Sequence, residues 1–262
     1  MCLIVWNWQP TSATPLVLLS NRDEFHARAA LPLHWWDTDP AAPYGPILAG
    51  QDLQAGGTWL GVNRQRRLAA ITNFRSGNAG RDDARSRGEL VTQFLCSCLS
   101  AAEFLQDMLS QCAAYNPFNL LVFDGTTLMG LESRHARIVP LQPGWGGVSN
   151  ADFNTPWPKL RRLRTQAQAL PAAQNMDDWH GQALQLLHDR TPAAAHELPQ
   201  TGIAPALELA LSSIFITLPH YGTRASTVVT VGDTVHMTEQ VHTPSAPTTE
   251  RTEAFEPDEA PR

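Results

Sequence analysis

Several features are scarce in this sequence of 262 residues, and each scarcity excludes a class of protein. Cysteine occurs only four times, at Cys2, Cys96, Cys98 and Cys112, without the paired spacing of metal ligands. So few cysteines indicate free thiols in a reducing compartment. Positive charge is also in deficit, since 19 Lys and Arg residues face 25 Asp and Glu residues and the net charge is −6. A broad cationic surface for nucleic acid or anionic lipid is therefore not expected.

Segments that direct a chain to or through a membrane are missing as well. No apolar run approaches the roughly 18 residues that a membrane-spanning helix needs. The first residues carry no positively charged region of the kind that opens a signal peptide. We therefore predict a cytoplasmic protein with no integral membrane association and no nucleic-acid partner, and its oligomeric state stays open.

What the sequence does contain is a succession of strand and helix patterns. β-branched and aromatic runs indicate strands, and apolar residues at helical spacing indicate helices. Hairpin-rich strands with segregated helices predict an α+β fold in which two antiparallel sheets pack together between helical layers. The predicted strands cover residues 3–8, 16–20, 56–63, 67–74, 119–124, 127–132, 137–141, 213–218, 226–231 and 235–241, and the predicted helices cover 88–99, 100–114, a basic segment from about 159, and 177–189.

Three segments lack such patterns. Residues 29–57 contain four prolines and are predicted to form a long loop over the sheet, of a length that often serves as a lid. Residues 189–207 are interpreted as a Pro-rich connector. From residue 244 the chain is rich in Ser, Thr, Pro and Glu, so we predict a single domain over 1–243 and a disordered tail over 244–262.

One local exception to the acidic balance is the basic run at residues 159–164, Lys-Leu-Arg-Arg-Leu-Arg. Such a run is more often a solvated helix face than a phosphate-binding patch. We therefore interpret it as the outer face of the third predicted helix.

The candidate chemistry lies at the amino terminus. If Met1 is removed, Cys2 carries a thiol and a free α-amine on one residue, the minimal set for an N-terminal-nucleophile hydrolase. The thiol would attack a carbonyl carbon, and the amine would take and return the proton, since both groups titrate near neutrality. A predicted hairpin over residues 3–20 delivers the polar quartet at 21–24, Asn-Arg-Asp-Glu, beside this end of the first strand. Four polar groups after a buried strand must find partners or line a site.

Six short motifs carry a resemblance to a known family. They are Met1-Cys2-Leu3-Ile4, Asn21-Arg22-Asp23-Glu24-Phe25, Gly57-Thr58-Trp59-Leu60-Gly61, Gly147-Val148-Ser149-Asn150, Trp157-Pro158-Lys159 and Tyr221-Gly222-Thr223-Arg224. With these motifs in order, the chain resembles the NRDE-motif family, also called the transport and Golgi organisation family. That family is similar to cysteine N-terminal-nucleophile hydrolases of the choloylglycine and penicillin V acylase kind. The resemblance implies a four-layer αββα sandwich with the nucleophile at the start of a central strand.

The resemblance also implies roles for individual residues. Cys2 would be the nucleophile, held by Arg22 and Asp23, while Asn150 would donate to the oxyanion and Arg224 would order the site. Physical reasoning supports parts of this assignment. Arg22 near Cys2 would lower the pKa of the thiol, and a carboxylate at Asp23 could orient Arg22 or the α-ammonium.

Two positions stay open within this assignment. Either Asp23 or Glu24 could supply the acid, and alternation puts the two side chains on opposite faces of an extended chain. The second oxyanion donor could be Asn63 or Asn73, and the turn context of Asn63 favours it.

Two functions from different classes follow. The first is hydrolysis of an amide or thioester bond in a small acyl substrate, with no cofactor and no metal. The second is a non-catalytic carrier of a hydrophobic ligand, haem or acyl lipid, on the same scaffold, in keeping with the lipid and haem handling that the family resemblance implies. For haem, Cys2 and His34 would be the candidate axial ligands, near Trp35 and Trp36. A scaffold for membrane traffic has no support beyond the family's name.

Overall fold

The protein is described by a computed structural model over residues 2–37, 45–78, 80–173 and 175–258, and its strands form two antiparallel sheets. The first sheet contains β1 (Cys2–Trp8), β2 (Leu16–Phe25), β10 (Gly144–Val148), β11 (Tyr221–Val231), β12 (Val235–Thr243) and β13 (Ala246–Phe255), in the order β10-β1-β2-β11-β12-β13. The second sheet runs in sequence order through β3 (Ala30–Trp36), β4 (Ile47–Asp52), β5 (Leu60–Asn63), β6 (Leu68–Asn73), β7 (Phe118–Phe123), β8 (Leu128–Glu132) and β9 (Arg137–Pro140).

Helices cover the outer faces of both sheets. α1 (Gly88–Cys96) and α2 (Ala101–Leu109) pack on the second sheet, and α3 (Pro158–Gln168) and α4 (Met176–Leu186) pack on the first. The short α5 (Pro205–Ala210) lies between α4 and β11. One apolar core separates the two sheets, and one lies under each helix pair, so the predicted αββα sandwich is confirmed. Within the described ranges, no helix is both long and apolar enough to cross a membrane.

Local sequence signals explain where helices begin. At α2, the Ser100 side chain accepts from the backbone N–H of Glu103 while the Glu103 carboxylate accepts from Ser100, a capping box that the sequence predicts. At α4, the Asn175 side chain accepts from the N–H groups of Asp177 and Asp178. Capping groups of this kind satisfy the free N–H groups of a first helical turn.

Alternation along β1 and β2 sorts the amino-terminal residues between two layers. Leu3, Val5 and Leu19 pack under α3 and α4, whereas Ile4 and Leu18 pack between the sheets. Successive strand residues point to opposite faces. Residues 2 and 22 therefore face the space between the sheets, and residues 21 and 23 face the helical layer.

The expectation of a long loop over residues 29–57 is wrong where the chain is described. β3 and β4 lie within it as an antiparallel pair, while residues 38–44 are outside the described part. Pro32 falls in β3, an edge strand, where a missing N–H costs no ladder bond. The strand predicted at 213–218 is also wrong, since that segment contributes only an isolated bridge between Thr217 and Gly222.

The expectation of a disordered tail from residue 244 is wrong for residues 246–255. These residues form β13, which pairs with β12 from Val235↔Phe255 to Thr243↔Ala246. Most side chains of β13 are exposed because it is the edge strand of the first sheet. The polar composition that resembles a tail is that of a solvent-facing edge strand.

A buried histidine joins α4 to the first sheet. His180 is 2% exposed, and its ring nitrogens lie 2.9 Å from Thr238 Oγ1 and 3.2 Å from Thr230 Oγ1. Burial, together with a smaller effect of the neighbouring His236, lowers the pKa of His180 to about 4. The ring is therefore neutral at pH 7, and its protonation would place a charge between helix and sheet.

We expect the free energy of unfolding to fall as pH drops from about 6.5 to about 4, the interval between the ordinary and the folded pKa of His180. Over this interval the unfolded chain binds a proton that the folded chain excludes, which costs about 3 kcal/mol. His180→Gln keeps polar contacts without titrating, so urea denaturation across this range should show a shallower pH dependence than the wild type. The exposed His220→Gln is the control, and an unchanged slope in His180→Gln would contradict the assignment.

Candidate functional site

A cavity of about 970 Å³ opens where β1 begins and where β2 and β6 end. Residues within 75–78, 80–88 and 203–211 complete its wall. Apolar and charged side chains share this wall, so the cavity can hold a molecule with both characters. The lining groups capable of chemistry include Cys2, Arg22, Asp23, Asp52, Asn73 and Arg75.

Cys2 and Arg22 are direct partners across β1 and β2. Side chains opposed in this way lie about 5 Å apart at Cβ. The Arg22 guanidinium stacks 4.3 Å from the Trp59 ring centroid and lies 3.4 Å from Asp52 Oδ2. A strand partner, an aromatic ring and a carboxylate thus fix the arginine beside the thiol.

The Cys2 thiol is buried, and its protonation differs from the expectation. Burial raises the pKa of the thiol, the carboxylates of Asp23 and Glu24 raise it further, and Arg22 lowers it. Burial outweighs the arginine, whose charge is shared with Asp52. Arg22 lowers the pKa of the thiol, as predicted, but burial makes the net shift upward, so the thiol requires a base to lose its proton.

Asp23 and Glu24 lie on opposite faces of β2, as alternation predicts. Asp23 is fully buried, its Oδ1 accepts from Thr223 Oγ1 at 2.7 Å, and its main-chain oxygen accepts from Tyr221 Oη at 2.9 Å. Glu24 is half-buried and lies 3.9 Å from Arg28 Nε. The structure therefore places Asp23 inside the protein at the end of the sheet and Glu24 at the cavity rim.

Asn150 follows β10 and is fully buried. The pairing Ile4↔Val148, continued by two residues, brings it beside Cys2. Its Nδ2 donates to the main-chain oxygen of Asn73 at 2.9 Å and to Asn73 Oδ1 at 3.2 Å. Asn150 therefore fixes Asn73, and Asn73 is the asparagine of this pair that lines the cavity.

The structure does not bring Asn63 to Cys2. Its Nδ2 donates to Leu95 O at 2.8 Å, and its Oδ1 accepts from the N–H groups of Gln65 and Arg67. Asn63 ends β5 and Asn73 ends β6, and antiparallel strands end on opposite sides of a sheet. The sequence analysis favoured Asn63 because it lies in a turn. That turn, between β5 and β6, is at the end of the strands opposite to the cavity.

Arg224 stabilises the main chain that follows the polar quartet. Its guanidinium donates to the carbonyl oxygens of Phe25, His26 and His242 at 3.2, 2.7 and 3.1 Å. It sits at a bulge where the β11–β2 register shifts, and it is absent from the described lining of the large cavity. Its contacts order the end of β2 without reaching Cys2.

Two charged residues near the site are missed by the sequence analysis. Lys159, interpreted as part of a solvated helix face, is 1% exposed, and its Nζ lies 3.9 Å from Asp23 Oδ2. Arg75, which follows β6, donates to Glu208 Oε2 at 2.7 Å and stacks over Trp157. Helical phase is the signal that could have revealed Lys159, since residues 159, 163 and 167 lie on one face.

The two candidate haem ligands lie in different places, and His34 is absent from the described lining of the cavity that Cys2 lines. Cys2 lines the large cavity, whereas His34 lies on β3, with Nδ1 2.8 Å from Pro32 O and its ring stacked on Trp36. In the described part of the chain, no group of three or more His, Cys, Asp or Glu side chains is arranged to hold a metal ion.

The Gly-Thr-Trp motif places the start of α1 against the cavity. Thr58 N–H donates to Gly88 O at 3.3 Å, and both Gly57 and Arg87 line the cavity. The charge of Cys2 acts on the pKa of Arg87, which burial lowers. Close contact between the motif and α1 therefore sets the position of a cation near the thiol.

Comparison with known proteins gives a family match over nearly the whole chain. A sequence model described as Transport and Golgi organisation 2 matches residues 1–242. The Transport and Golgi organization protein 2 homolog of Bos taurus is 33% identical over 257 residues, which is 91% of each chain. The homolog of Homo sapiens is 31% identical over 262 residues, again 91% of each chain.

A solved structure shares the fold. The Caenorhabditis elegans N-acylethanolamine-hydrolyzing acid amidase (NAAA) ortholog superposes with a TM-score of 0.51 at 12% identity, covering 87% of this chain and 92% of that chain. At this identity the likeness concerns the fold alone. This chain and that ortholog share the αββα sandwich that the resemblance implies.

Gly57→Ala tests the contact between the motif and α1. A Cβ at Gly57 would lie 2.5 Å from the Gly88 carbonyl carbon and 2.7 Å from its oxygen. Main chain cannot swing away as a side chain can, so we expect a loss of about 1–3 kcal/mol in urea denaturation. Gly181→Ala is the control, because that position has open space in α4 and should gain up to about 1 kcal/mol. Wild-type stability in Gly57→Ala would refute the packing argument.

Proposed function

Because the chain belongs to the Transport and Golgi organisation 2 family and has the fold of N-terminal-nucleophile hydrolases, we propose that it hydrolyses an amide or thioester bond in a small acyl substrate. Cys2 is the nucleophile in this proposal, exposed as the first residue by removal of Met1. The observation that carries the proposal is the position of Cys2. It begins an inner strand of the first sheet and lines a cavity of about 970 Å³ with a fixed arginine as its strand partner.

The first step is attack of the Cys2 sulfur on the substrate carbonyl carbon. A carbon–sulfur bond forms while the thiol proton passes to the α-amine of the same residue. This base is needed because burial raises the pKa of the thiol. Asp23 is next to the strand partner of Cys2, and its carboxylate would hold the resulting α-ammonium.

The second step releases the leaving group. Asn73, whose orientation is fixed by Asn150, supplies an amide N–H toward the oxyanion, and such a donor is worth about 3 kcal/mol in the transition state. The carbon–nitrogen or carbon–sulfur bond of the substrate breaks, and the α-ammonium returns its proton to the leaving amine or thiol. Water then attacks the acyl-enzyme thioester, which releases the acid and restores the Cys2 thiol.

The name of the structural neighbour supports an amide as the first bond to test. That protein is described as an amidase that hydrolyses N-acylethanolamines. The lining of the cavity includes the apolar groups Phe25, Leu207 and Leu211 and also arginines such as Arg81 and Arg85. The apolar lining groups therefore suit an acyl chain, and the charged lining groups suit a polar leaving group.

Intact-mass analysis with iodoacetamide is the primary test. We expect a mass without Met1 and labelling of Cys2 faster than of Cys96, Cys98 and Cys112. Cys98 is the most informative comparison, because it is exposed whereas Cys2 is buried. If exposure alone set the labelling rates, Cys98 would be labelled faster than Cys2. Peptide mapping of wild type and Cys2→Ala assigns the labelled position.

The labelling experiment has one outcome that supports the proposal and one that refutes it. A chain that lacks Met1 and has a fast-labelling Cys2 supports a screen of amides and thioesters, in which Cys2→Ala and Cys2→Ser should both lose turnover. Retained Met1 in the purified protein would refute the proposal, because no free α-amine then exists on Cys2.

The two candidate asparagines give a matched pair of variants. On the first amide or thioester turned over, Asn73→Ala should lower kcat by about 10² because an oxyanion donor is lost. Asn63→Ala should leave kcat within a few fold, although it destabilises the β5–β6 turn by about 1–3 kcal/mol through the unpaired Leu95 oxygen and the two N–H groups. Equal kcat in both variants would remove Asn73 from the mechanism.

A further inference from the structure

Lys159 is an ammonium group buried in the interior of the protein. It is 1% exposed, and among the described residues its Nζ has no hydrogen-bond acceptor. The nearest carboxylate oxygen is Asp23 Oδ2 at 3.9 Å. Lysine is almost never fully buried, because taking its charge out of water costs several kcal/mol.

The rest of the basic run on α3 behaves differently. Arg161 is exposed and pairs with Glu197, and Arg162 reaches Asp189 and the main-chain oxygen of Thr191 at the surface. Lys159 instead shares its helix face with Leu163 and Ala167, which pack under the first sheet. An apolar side chain at this position would fill the same space without a charge, so packing does not account for the lysine.

The partner of Lys159 belongs to the candidate active site. Asp23 lines the same cavity as Cys2 and follows Arg22, the strand partner of Cys2. Its carboxyl group is fully buried, and burial raises its pKa, while Lys159 is the first of the groups that lower it. Burial in turn lowers the pKa of Lys159 to about 8, so each group depends on the other for its charge.

We propose that Lys159 is a positioning residue of the Cys2 site, whose ammonium keeps the buried carboxylate of Asp23 ionised beside the start of β1. Lys159 touches no reacting atom in this proposal and acts through Asp23. The inference rests on the proposed function, in which Asp23 holds the α-ammonium of Cys2. It adds that the cation of Lys159 sets the pH at which Cys2 and its amine can react.

Other charged and titratable groups face this pair from every neighbouring element. Their contributions are common to the wild type and the variants below. They are Cys2 on β1, Arg22 and Glu24 on β2, Arg75 after β6, Glu208 on α5 and Tyr221 on β11.

The test is the pH dependence of Cys2 acetylation by p-nitrophenyl acetate, which needs no knowledge of the natural substrate. The acetyl group passes to the Cys2 sulfur, p-nitrophenolate leaves, and the rate is corrected with Cys2→Ala. Without the ammonium the pKa of Asp23 rises, so the carboxylate that the reaction needs is present only at higher pH. The acid limb of the Lys159→Met profile should therefore move upward by about one pH unit, and the rate at pH 7 should fall by up to about tenfold. Lys159→Arg should keep the wild-type limb, and Arg162→Met, on the surface of the same helix, should leave it unchanged.

A folded Lys159→Met with the wild-type limb would overturn the inference, since a purely structural lysine does not move a pH profile. If Lys159→Met does not fold, Asp23→Asn is compared with Asp23→Asn/Lys159→Met, which leaves no charge from this pair. Because Lys159 acts through Asp23, the second substitution should not move the limb further, and a further shift would overturn the inference. The neutral Lys159→Gln should show the same upward shift as Lys159→Met, and a folded Lys159→Gln with the wild-type limb would also overturn it. Failure of wild-type Cys2 to be acetylated faster than Cys98 would count against the proposed function instead.

Discussion

Antiparallel pairing between β1 and β2 is the constraint on which the candidate site depends. The register joins Cys2 to Arg22, so both side chains face the space between the sheets, while Asp23 faces the helical layer. A slip of one residue would exchange these faces and move the thiol away from the cavity. The register is held by burial on both faces, because Leu3 and Val5 fill the core under α3 and α4 and Ile4 and Trp6 fill the core between the sheets.

Charge burial follows from this arrangement. The strands that carry the site are covered on both faces, so Asp23, Lys159, Arg75 and Glu208 are all buried. Such groups are tolerated only when opposite charges lie nearby. Arg75 pairs with Glu208 on α5, and its N–H donates to Asn150 O at 2.7 Å. The same contacts that neutralise the charges therefore connect α5, the end of β6 and the end of β10 around the cavity.

The features that could be predicted from the sequence are those that depend on patterns between residues close together in the chain. Alternation separated Asp23 from Glu24 correctly, and a capping box placed the start of α2. Features that depend on strand direction or on edge position escaped it. Asn63 and Asn73 end neighbouring strands, and only their antiparallel pairing shows which one meets β10. Composition also misassigned β13, because an exposed edge strand and a disordered tail use the same residues.

The buried lysine shows a different limit. Charge counting treated residues 159–164 as one solvated face, although a helix turns about 100° per residue and cannot expose all of them. The phase of Leu163 and Ala167 carries the information that Lys159 faces inward. Its pairing with Asp23 joins residues 136 positions apart, and no local pattern encodes such a contact.

The strand order of the two sheets has a consequence for how the chain acquires its structure. The second sheet is built from one continuous stretch, 30–140, whereas the first joins residues 2–25 to residues 144–255. Contacts between distant segments form slowly, because a long loop must close first. During synthesis the β1–β2 hairpin has no β10 or β11 beside it until most of the chain has been made. The end of the chain that bears Cys2 therefore completes its sheet only after β11, residues 221–231, has been made.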